Sequence, residues 1–248
     1  MMSIQEELAI FDKFNFERKP VAIKYLFTRP DNLNRINAKF AFCEMLREAH
    51  KGKPFYATKD DFECVGPLLL GMEPPDPLFE SGQMGPRLGY FKEARANSRI
   101  YEFIPRLSRN TVNYVVFSTL DQAEMDPDVL VITANTRQAE IILRSYAFTT
   151  GQGWTTRGTP IMACAWLFIY PYISGQLNFT LTGIGAGMKA RQVLPEGLVL
   201  ISIPFDLLPM ISKNLKEMEW ELQSYKEGRD AHTARFREEA EKLRKMAH

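Results

Sequence analysis

The three cysteines are the residues of this chain with the most distinctive chemistry. Cys43, Cys64 and Cys164 are its only thiols, and the gaps between them are 21 and 100 residues. Thiolates are soft ligands that favour iron–sulfur clusters, zinc or copper(I), and three of them leave one coordination position open. Neither gap matches the C-x2-C spacing of compact metal motifs. The three cysteines are therefore candidate metal ligands only if the fold brings them together.

Other interpretations of the cysteines stay open. Free cysteine is among the most buried residue types, and apolar neighbours such as Phe42 and Val65 fit a place in the core. A disulfide between Cys43 and Cys64 is disfavoured by a reducing cytosol. His50 follows Cys43 by seven residues, so on a helix it would face nearly the same side and could add a nitrogen ligand. A histidine at a helix end more often interacts with the helix dipole.

A glycine run, GIGAG, follows a predicted strand, which is where turns that bind phosphate often occur. The dinucleotide fingerprint G-x-G-x-x-G would require a glycine at its sixth position, where this chain has Met188. We predict Gly183, Gly185, Gly187 and Lys189 as contacts of a cofactor or an anion. The alternative is a tight turn in which the backbone passes close to a ligand or a helix.

Aromatic residues are concentrated around Cys164. Trp154, Trp166, Tyr170 and Tyr172 flank it in the sequence and could form a pocket wall for a flat or apolar ligand. We predict Trp154 as a cofactor contact. The same residues are equally compatible with an ordinary hydrophobic core.

Composition excludes several classes of protein. With 31 basic and 30 acidic residues the net charge is +1, so no global field attracts nucleic acid or an anionic membrane. The most apolar stretch, residues 161–173, contains Pro171 and is shorter than the ~20 residues of a membrane span. Few cysteines and no signal sequence indicate a soluble cytoplasmic protein with a small-molecule or cofactor partner. No Walker A, H-E-x-x-H or G-x-S-x-G motif is present, so these motifs indicate no particular reaction, and whether the protein is an enzyme stays open.

Hydrophobic periodicity predicts an interleaved order of helices and strands. Strands are predicted over residues 20–27, 112–118, 128–134, 176–182 and 197–204. The strands over residues 128–134 and 197–204 are apolar on both faces, which predicts a position in the middle of the sheet for the first of them. Helices are predicted over the first ~17 residues and over residues 34–50, 137–148, 161–170, 205–222 and 227–248. A capping sequence at Thr58 predicts a further short helix that carries Cys64, and a second one, from Asn135 to Gln138, predicts the start of the helix over residues 137–148. Residues 72–86 are predicted as a long loop.

This order predicts an α+β fold with a central mixed sheet flanked by helices. The sheet and its helices form one domain over residues 1–225. Residues 226–248 form a charged C-terminal helix that lies on the surface or docks on a second subunit, which would make the protein a homo-oligomer.

The chain resembles the DUF169 family, a group of uncharacterised proteins of archaea and anaerobic bacteria. The segments that carry the resemblance are PVAIKYL (20–26), CEMLREAHKGKPF (43–55), DDFECVGPLLLGM (60–72), DPDVLVITANTRQAEIILRSY (126–146), MACAWLFIYPYISGQLNFTL (162–181) and LISIPFDLLPMI (200–211). The resemblance implies that cysteines recur at 43, 64 and 164. It also implies a fourth cysteine in many relatives near Gly183, so this chain has at most three thiol ligands.

These observations lead to three hypotheses. The first is a ligand- or cofactor-binding protein that holds a metal or an iron–sulfur cluster through its cysteines. It predicts that the three sulfurs converge in a pocket bordered by the glycine run and residues 72–90. The second is a non-catalytic small-molecule-binding module with the cysteines in the core. The third is an oligomeric assembly subunit that uses the C-terminal helix.

Overall fold

The computed structural model describes residues 8–246, which contain one seven-stranded sheet. Its strands are β1 (Val21–Leu26), β2 (Asn34–Arg35), β3 (Phe55–Ala57), β4 (Tyr114–Thr119), β5 (Val129–Ala134), β6 (Asn178–Leu181) and β7 (Val199–Pro204). The spatial order is β2-β3-β4-β1-β5-β7-β6. The pair β2–β3 is parallel and the other pairs are antiparallel, so the predicted α+β fold with a mixed sheet is confirmed.

Helices cover both faces of this sheet. They are α1 (Glu44–Ala49), α2 (Gly66–Leu69), α3 (Pro77–Glu80), α4 (Met84–Arg87), α5 (Ala94–Phe103), α6 (Thr136–Phe148), α7 (Tyr170–Ser174), α8 (Ala186–Ala190), α9 (Leu208–Glu217), α10 (Gln223–Lys226) and α11 (Arg229–Met246). Short 3-10 turns lie at Ala9–Phe14, Lys59–Asp61, Leu120–Gln122 and Phe205–Leu207, and a π-helical turn at Ala165–Ile169 precedes α7.

The central strands are apolar on both faces because each face supports its own core. Val129 and Val131 of β5 belong to a core built with α1, α2, α5 and the π-helical turn. Leu130 and Ile132 belong to a second core built with α6, α9 and the first 3-10 turn. The predicted interior position of this strand is confirmed, since β5 lies between β1 and β7.

Two local predictions are wrong, one because of strand pairing and the other because of a local helix cap. The helix predicted over residues 34–50 begins only at Glu44, since Asn34 and Arg35 form β2 against β3. The loop predicted over residues 72–86 contains α3 and α4, and Asp76 caps α3 through the N–H of Leu78 at 2.8 Å. Helix α5 is not among the predicted elements.

The predicted capping sequences are present, with different consequences. Asn135 and Gln138 form a capping box that opens α6, as predicted. Thr58 and Asp61 form the other box, but it opens only a 3-10 turn, and Cys64 lies after this turn and outside a helix. The first predicted helix falls partly on residues 1–7, which lie outside the described residues.

The C-terminal helix α11 lies at the surface, where none of its residues, all of them described, is buried. Acidic and basic residues alternate along this helix, and Lys242 pairs with Glu238 at 2.8 Å. Within residues 8–246, no helix combines the length and the hydropathy required to cross a membrane.

Candidate functional site

The fold brings the three cysteines into one hydrophobic core. Cys43 is buried immediately before α1, and Cys164 is buried immediately before the π-helical turn. Cys64 is half-buried in the segment between the second 3-10 turn and α2, and it packs against the same core. All three are free thiols, so the alternative of a Cys43–Cys64 disulfide is absent from the described structure.

The sulfur of Cys64 accepts two backbone hydrogen bonds. The N–H of Phe42 lies 3.2 Å from Sγ and the N–H of Gly66 lies 3.3 Å from it. Such donors stabilise a thiolate and orient it. They are also among the features that tune cysteine-bound clusters.

Burial is the main influence on the pKa of each of the three thiols. Burial, and then the neighbouring Cys64, raise the pKa of Cys43 to about 12. Burial raises the pKa of Cys164 well above its ordinary value, and Cys43 and Cys64 raise it further. Burial also raises the pKa of Cys64, although its two N–H donors and the charge of Arg191 oppose the rise. At neutral pH the thiols are therefore protonated and are weak nucleophiles.

The described residues contain no preformed site for a single metal ion. Among residues 8–246, no group of three or more His, Cys, Asp or Glu side chains is arranged to hold one. The Nε2 atom of His50 lies 3.1 Å from the carbonyl oxygen of Lys19, and because that oxygen only accepts, the contact requires the proton on Nε2. The role of Cys43, Cys64 and Cys164 as metal ligands stays a prediction.

The backbone next to Cys164 and Arg191 is unusual. Met162 has φ 55° and Gln192 has φ 49°, and the other non-glycine residues with positive φ among the described residues are two asparagines. Asparagine tolerates this region, whereas longer side chains adopt it at a cost of order 1–3 kcal/mol. The π-helical turn begins directly after Cys164. Both kinds of irregularity are frequent at functional sites.

A cleft of about 500 Å³, here called the basic cleft, is formed largely by the end of α1 and the segment that follows β6. It is lined by Arg18, Arg47, His50, Thr182, Gly183, Met188, Lys189, Gln192, Val193, Leu194, Pro195 and Glu196. Arg191 links the cleft to the cysteines. Its carbonyl oxygen accepts from Nη1 of Arg47 at 3.2 Å. Its positive charge opposes the rise in the pKa of Cys43 and Cys64.

Each cation of the basic cleft has a carboxylate partner. Arg47 contacts Glu44 at 2.9 Å. Lys189 contacts Glu196 at 2.8 Å. Arg18 contacts its neighbour Glu17 at 2.8 Å. Sequence reasoning missed Arg18 and Arg47, because a basic residue paired with a local glutamate looks like any exposed ion pair.

The glycines of the run have different structural roles. Gly183 lines the basic cleft with φ 87°, which favours glycine. A Cβ at Gly185 would lie 2.7 Å from the Cβ of Ala163, so this position requires close backbone approach. Gly187 lies within α8, where a Cβ would meet only the end of the Arg191 side chain at 3.5 Å. Steric packing accounts for Gly185, and Lys189 lies in the basic cleft as a cation.

A second cleft, of about 330 Å³, lies on the other side of the run and is here called the Trp166 cleft. It is lined by Thr156, Arg157, Gly158, Thr159, Pro160, Ala163, Trp166, Leu167, Thr180, Ile184 and Gly185. Trp154, predicted as a cofactor contact, lines neither cleft. Its side chain is 47% exposed and donates from Nε1 to the carbonyl oxygen of Leu143 at 2.8 Å.

Comparison with known proteins gives one result. A family model described as DUF169, uncharacterised ArCR, matches residues 9–214. The chain belongs to the DUF169 family. This confirms the resemblance seen in the sequence, and the match spans the cysteines and both clefts of this DUF169 protein. No curated protein and no solved structure matches the chain.

Proposed function

We propose that this DUF169 protein binds a small anionic ligand or cofactor in the basic cleft, with the three cysteines beside it. The observation that carries the proposal is the position of Arg191. Its Nε lies 3.7 Å from a carboxylate oxygen of Glu44, the residue after the buried Cys43, and its carbonyl oxygen accepts from Arg47 in the wall of the cleft. A ligand held there would lie next to the chain's only thiols.

The ion pairs of the cleft can be exchanged for a ligand at low cost. The Arg18–Glu17 and Lys189–Glu196 pairs are exposed, and such pairs typically contribute about 0–1 kcal/mol. A phosphate or carboxylate group could replace either glutamate. Arg47 is held more firmly, since Glu44 is buried and the carbonyl oxygen of Arg191 binds a second guanidinium nitrogen. It would act as the fixed anchor of the ligand.

We further propose that the cysteines hold a thiolate-bound metal or an iron–sulfur cluster. The two N–H donors to Cys64 and the nearby charge of Arg191 would stabilise thiolates once a metal displaces the protons. Three thiolates suit a four-iron cluster in which one iron has a non-cysteine ligand. Free thiols also agree with a cytoplasmic, reducing location. Thiols that act only as core residues are the alternative.

Calorimetric titration with inorganic pyrophosphate, compared with citrate, tests the anion site. We expect saturable binding at low salt. The substitution Arg47→Gln should weaken it by roughly tenfold, the equivalent of one lost charged hydrogen bond. The control Lys213→Gln removes an exposed lysine of α9 and should leave binding unchanged. Absence of saturable binding, or equal affinities in both variants, would contradict the site.

Anaerobic purification followed by an absorption spectrum and metal analysis tests the thiol site. A shoulder near ~400 nm with iron and acid-labile sulfide, bleached by Cys64→Ser, is the expected result. A colourless, metal-free protein that remains folded would contradict the cluster and favour the core interpretation. The titration would still decide the anion site by itself. An assembly role of α11 stays a prediction, for which loss of a dimer on truncation after Glu227 is the test.

A further inference from the structure

We propose that the Trp166 cleft is a second binding site, and that its ligand is an aromatic monocarboxylate. Arg157 would bind the carboxylate, and Trp166 with Ile184 would contact the ring. This inference is independent of the proposed function, since it uses other residues on the opposite side of the glycine run.

Arg157 is an exposed cation without a carboxylate partner. Within residues 8–246, no acidic side chain lies at ion-pair distance from its guanidinium group, which instead lies 5.8 Å from the centre of the Tyr170 ring. Arginine binds a carboxylate through two parallel hydrogen bonds while it stacks on an aromatic face. The charge at this cleft is therefore available to a ligand without displacement of an internal partner.

A buried amide fixes the residues that would contact the ligand. Asn178 is fully buried in β6, and its Nδ2 donates to the carbonyl oxygens of Arg157 at 3.0 Å and Trp166 at 2.8 Å. Its Oδ1 accepts from the N–H of Arg157 at 3.0 Å, while the single hydroxyl proton of Thr156 goes to the carbonyl oxygen of Phe179. Both donors of the amide and one acceptor position are used. Asn178 is thus a positioning residue that holds the charged and the aromatic parts of the cleft in a fixed relation.

The walls of the cleft fit a flat apolar group. The indole of Trp166 donates to Oγ1 of Thr159 at 2.9 Å, and its ring lies beside Tyr170 at 5.6 Å. Ile184, in the glycine run, lines the cleft and is 55% exposed. A volume of about 330 Å³ suits one or two fused rings. A single available arginine selects one carboxylate over a polyanion.

Titration of the full-length chain with 2-naphthoate tests the site. We expect saturable binding of one molecule per chain, whereas uncharged 2-naphthol and the non-aromatic cyclohexanecarboxylate bind at least tenfold more weakly. Arg157→Gln should weaken 2-naphthoate by tenfold or more and leave 2-naphthol unchanged. Arg157→Lys, which keeps the charge but not the paired donors, should give an intermediate affinity. Arg137→Gln is the matched control, because Arg137 is exposed on α6 and faces Glu221 at 3.6 Å.

The outcomes separate the two clefts. We expect 2-naphthoate to bind even in an excess of pyrophosphate. Displacement by pyrophosphate would place the aromatic acid in the basic cleft and overturn the inference. Equal affinities of Arg157→Gln and Arg137→Gln would also overturn it, as would the absence of saturable binding to the wild-type chain. The circular dichroism of each variant shows whether it is folded before it is compared.

Discussion

The two clefts on either side of the glycine run use positive charge in different ways. The basic cleft has Arg18, Arg47 and Lys189, and each has a glutamate partner. The Trp166 cleft has Arg157, which has no such partner among residues 8–246. The number of cations in a cleft is therefore a poor guide to anion binding, because a paired cation must first lose its carboxylate.

The clefts also differ in how their charged residues are positioned. Arg47 is placed by Glu44, one helical turn away, and by the carbonyl oxygen of Arg191. Arg157 lies in a segment without regular structure and is placed by Asn178, which comes from an edge strand. Ion pairs are screened by salt and respond to pH, whereas a buried amide network does not. Single substitutions should therefore affect the two clefts unequally.

The largest expected effect is that of Asn178→Ala. It would leave the carbonyl oxygens of Arg157 and Trp166 without their buried donor, so we expect a loss of roughly 3 kcal/mol in the free energy of unfolding. Urea denaturation measures this loss. Binding of 2-naphthoate should disappear in the folded variant, while pyrophosphate binding is retained.

Asn113→Ala is the matched control for this prediction. Asn113 is exposed and donates one hydrogen bond to the carbonyl oxygen of Phe27 at 2.8 Å, so its loss should change stability by less than about 0.5 kcal/mol. If both asparagine variants unfold at the same urea concentration, the buried amide is not what organises the Trp166 cleft.

An intermediate effect is expected for the glycine run that separates the clefts. Gly185→Ala places a Cβ 2.7 Å from that of Ala163, and relief of this overlap should cost about 2 kcal/mol. Gly187→Ala is the control. Gly187 lies within α8, and its added Cβ would meet only the flexible end of the Arg191 side chain, so this substitution should stabilise the protein by about 0.5–1 kcal/mol. Thermal unfolding of the two variants gives the comparison. A destabilised Gly187→Ala protein would instead favour a ligand-contacting role of that glycine.

The smallest expected effect concerns pH and the basic cleft. Burial lowers the pKa of His50. The contact with the Lys19 carbonyl oxygen partly offsets this lowering, and the charge of Arg18 adds to it. The unfolded chain therefore takes up the proton at higher pH than the folded protein does. Stability from this residue is complete above the ordinary histidine pKa of about 6.5 and is lost as pH falls below it.

Measurement of the melting temperature at pH 7.5 and at pH 5 tests this effect. We expect His50→Gln to lose less stability than the wild type over this interval. The difference between the two proteins should be under about 1 kcal/mol, because the side chain is partly exposed. His232→Gln, in the exposed helix α11, should behave as the wild type does. A steeper loss of stability in His50→Gln would show that the sign of the pKa shift is wrong.

Much of the fold follows from local pattern. The two-sided apolar strands β5 and β7 and the capping box at Asn135 were all predictable, because each depends on neighbouring residues. The start of α1 was not predictable. Residues 34 and 35 satisfy a helical pattern, and only their pairing with β3 directs them into the sheet.

Which reactive groups are present follows from the amino-acid sequence: three thiols without metal-motif spacing, a glycine run that departs from the dinucleotide fingerprint, and a nearly neutral net charge. Which of these groups share a core depends on how the chain folds. Packing beneath the sheet places Cys43, Cys64 and Cys164 at one hydrophobic core across gaps of 21 and 100 residues. The same fold buries Asn178 against Arg157 and Trp166. Side-chain proximity across a sheet depends on long-range register, which no local pattern of residues encodes.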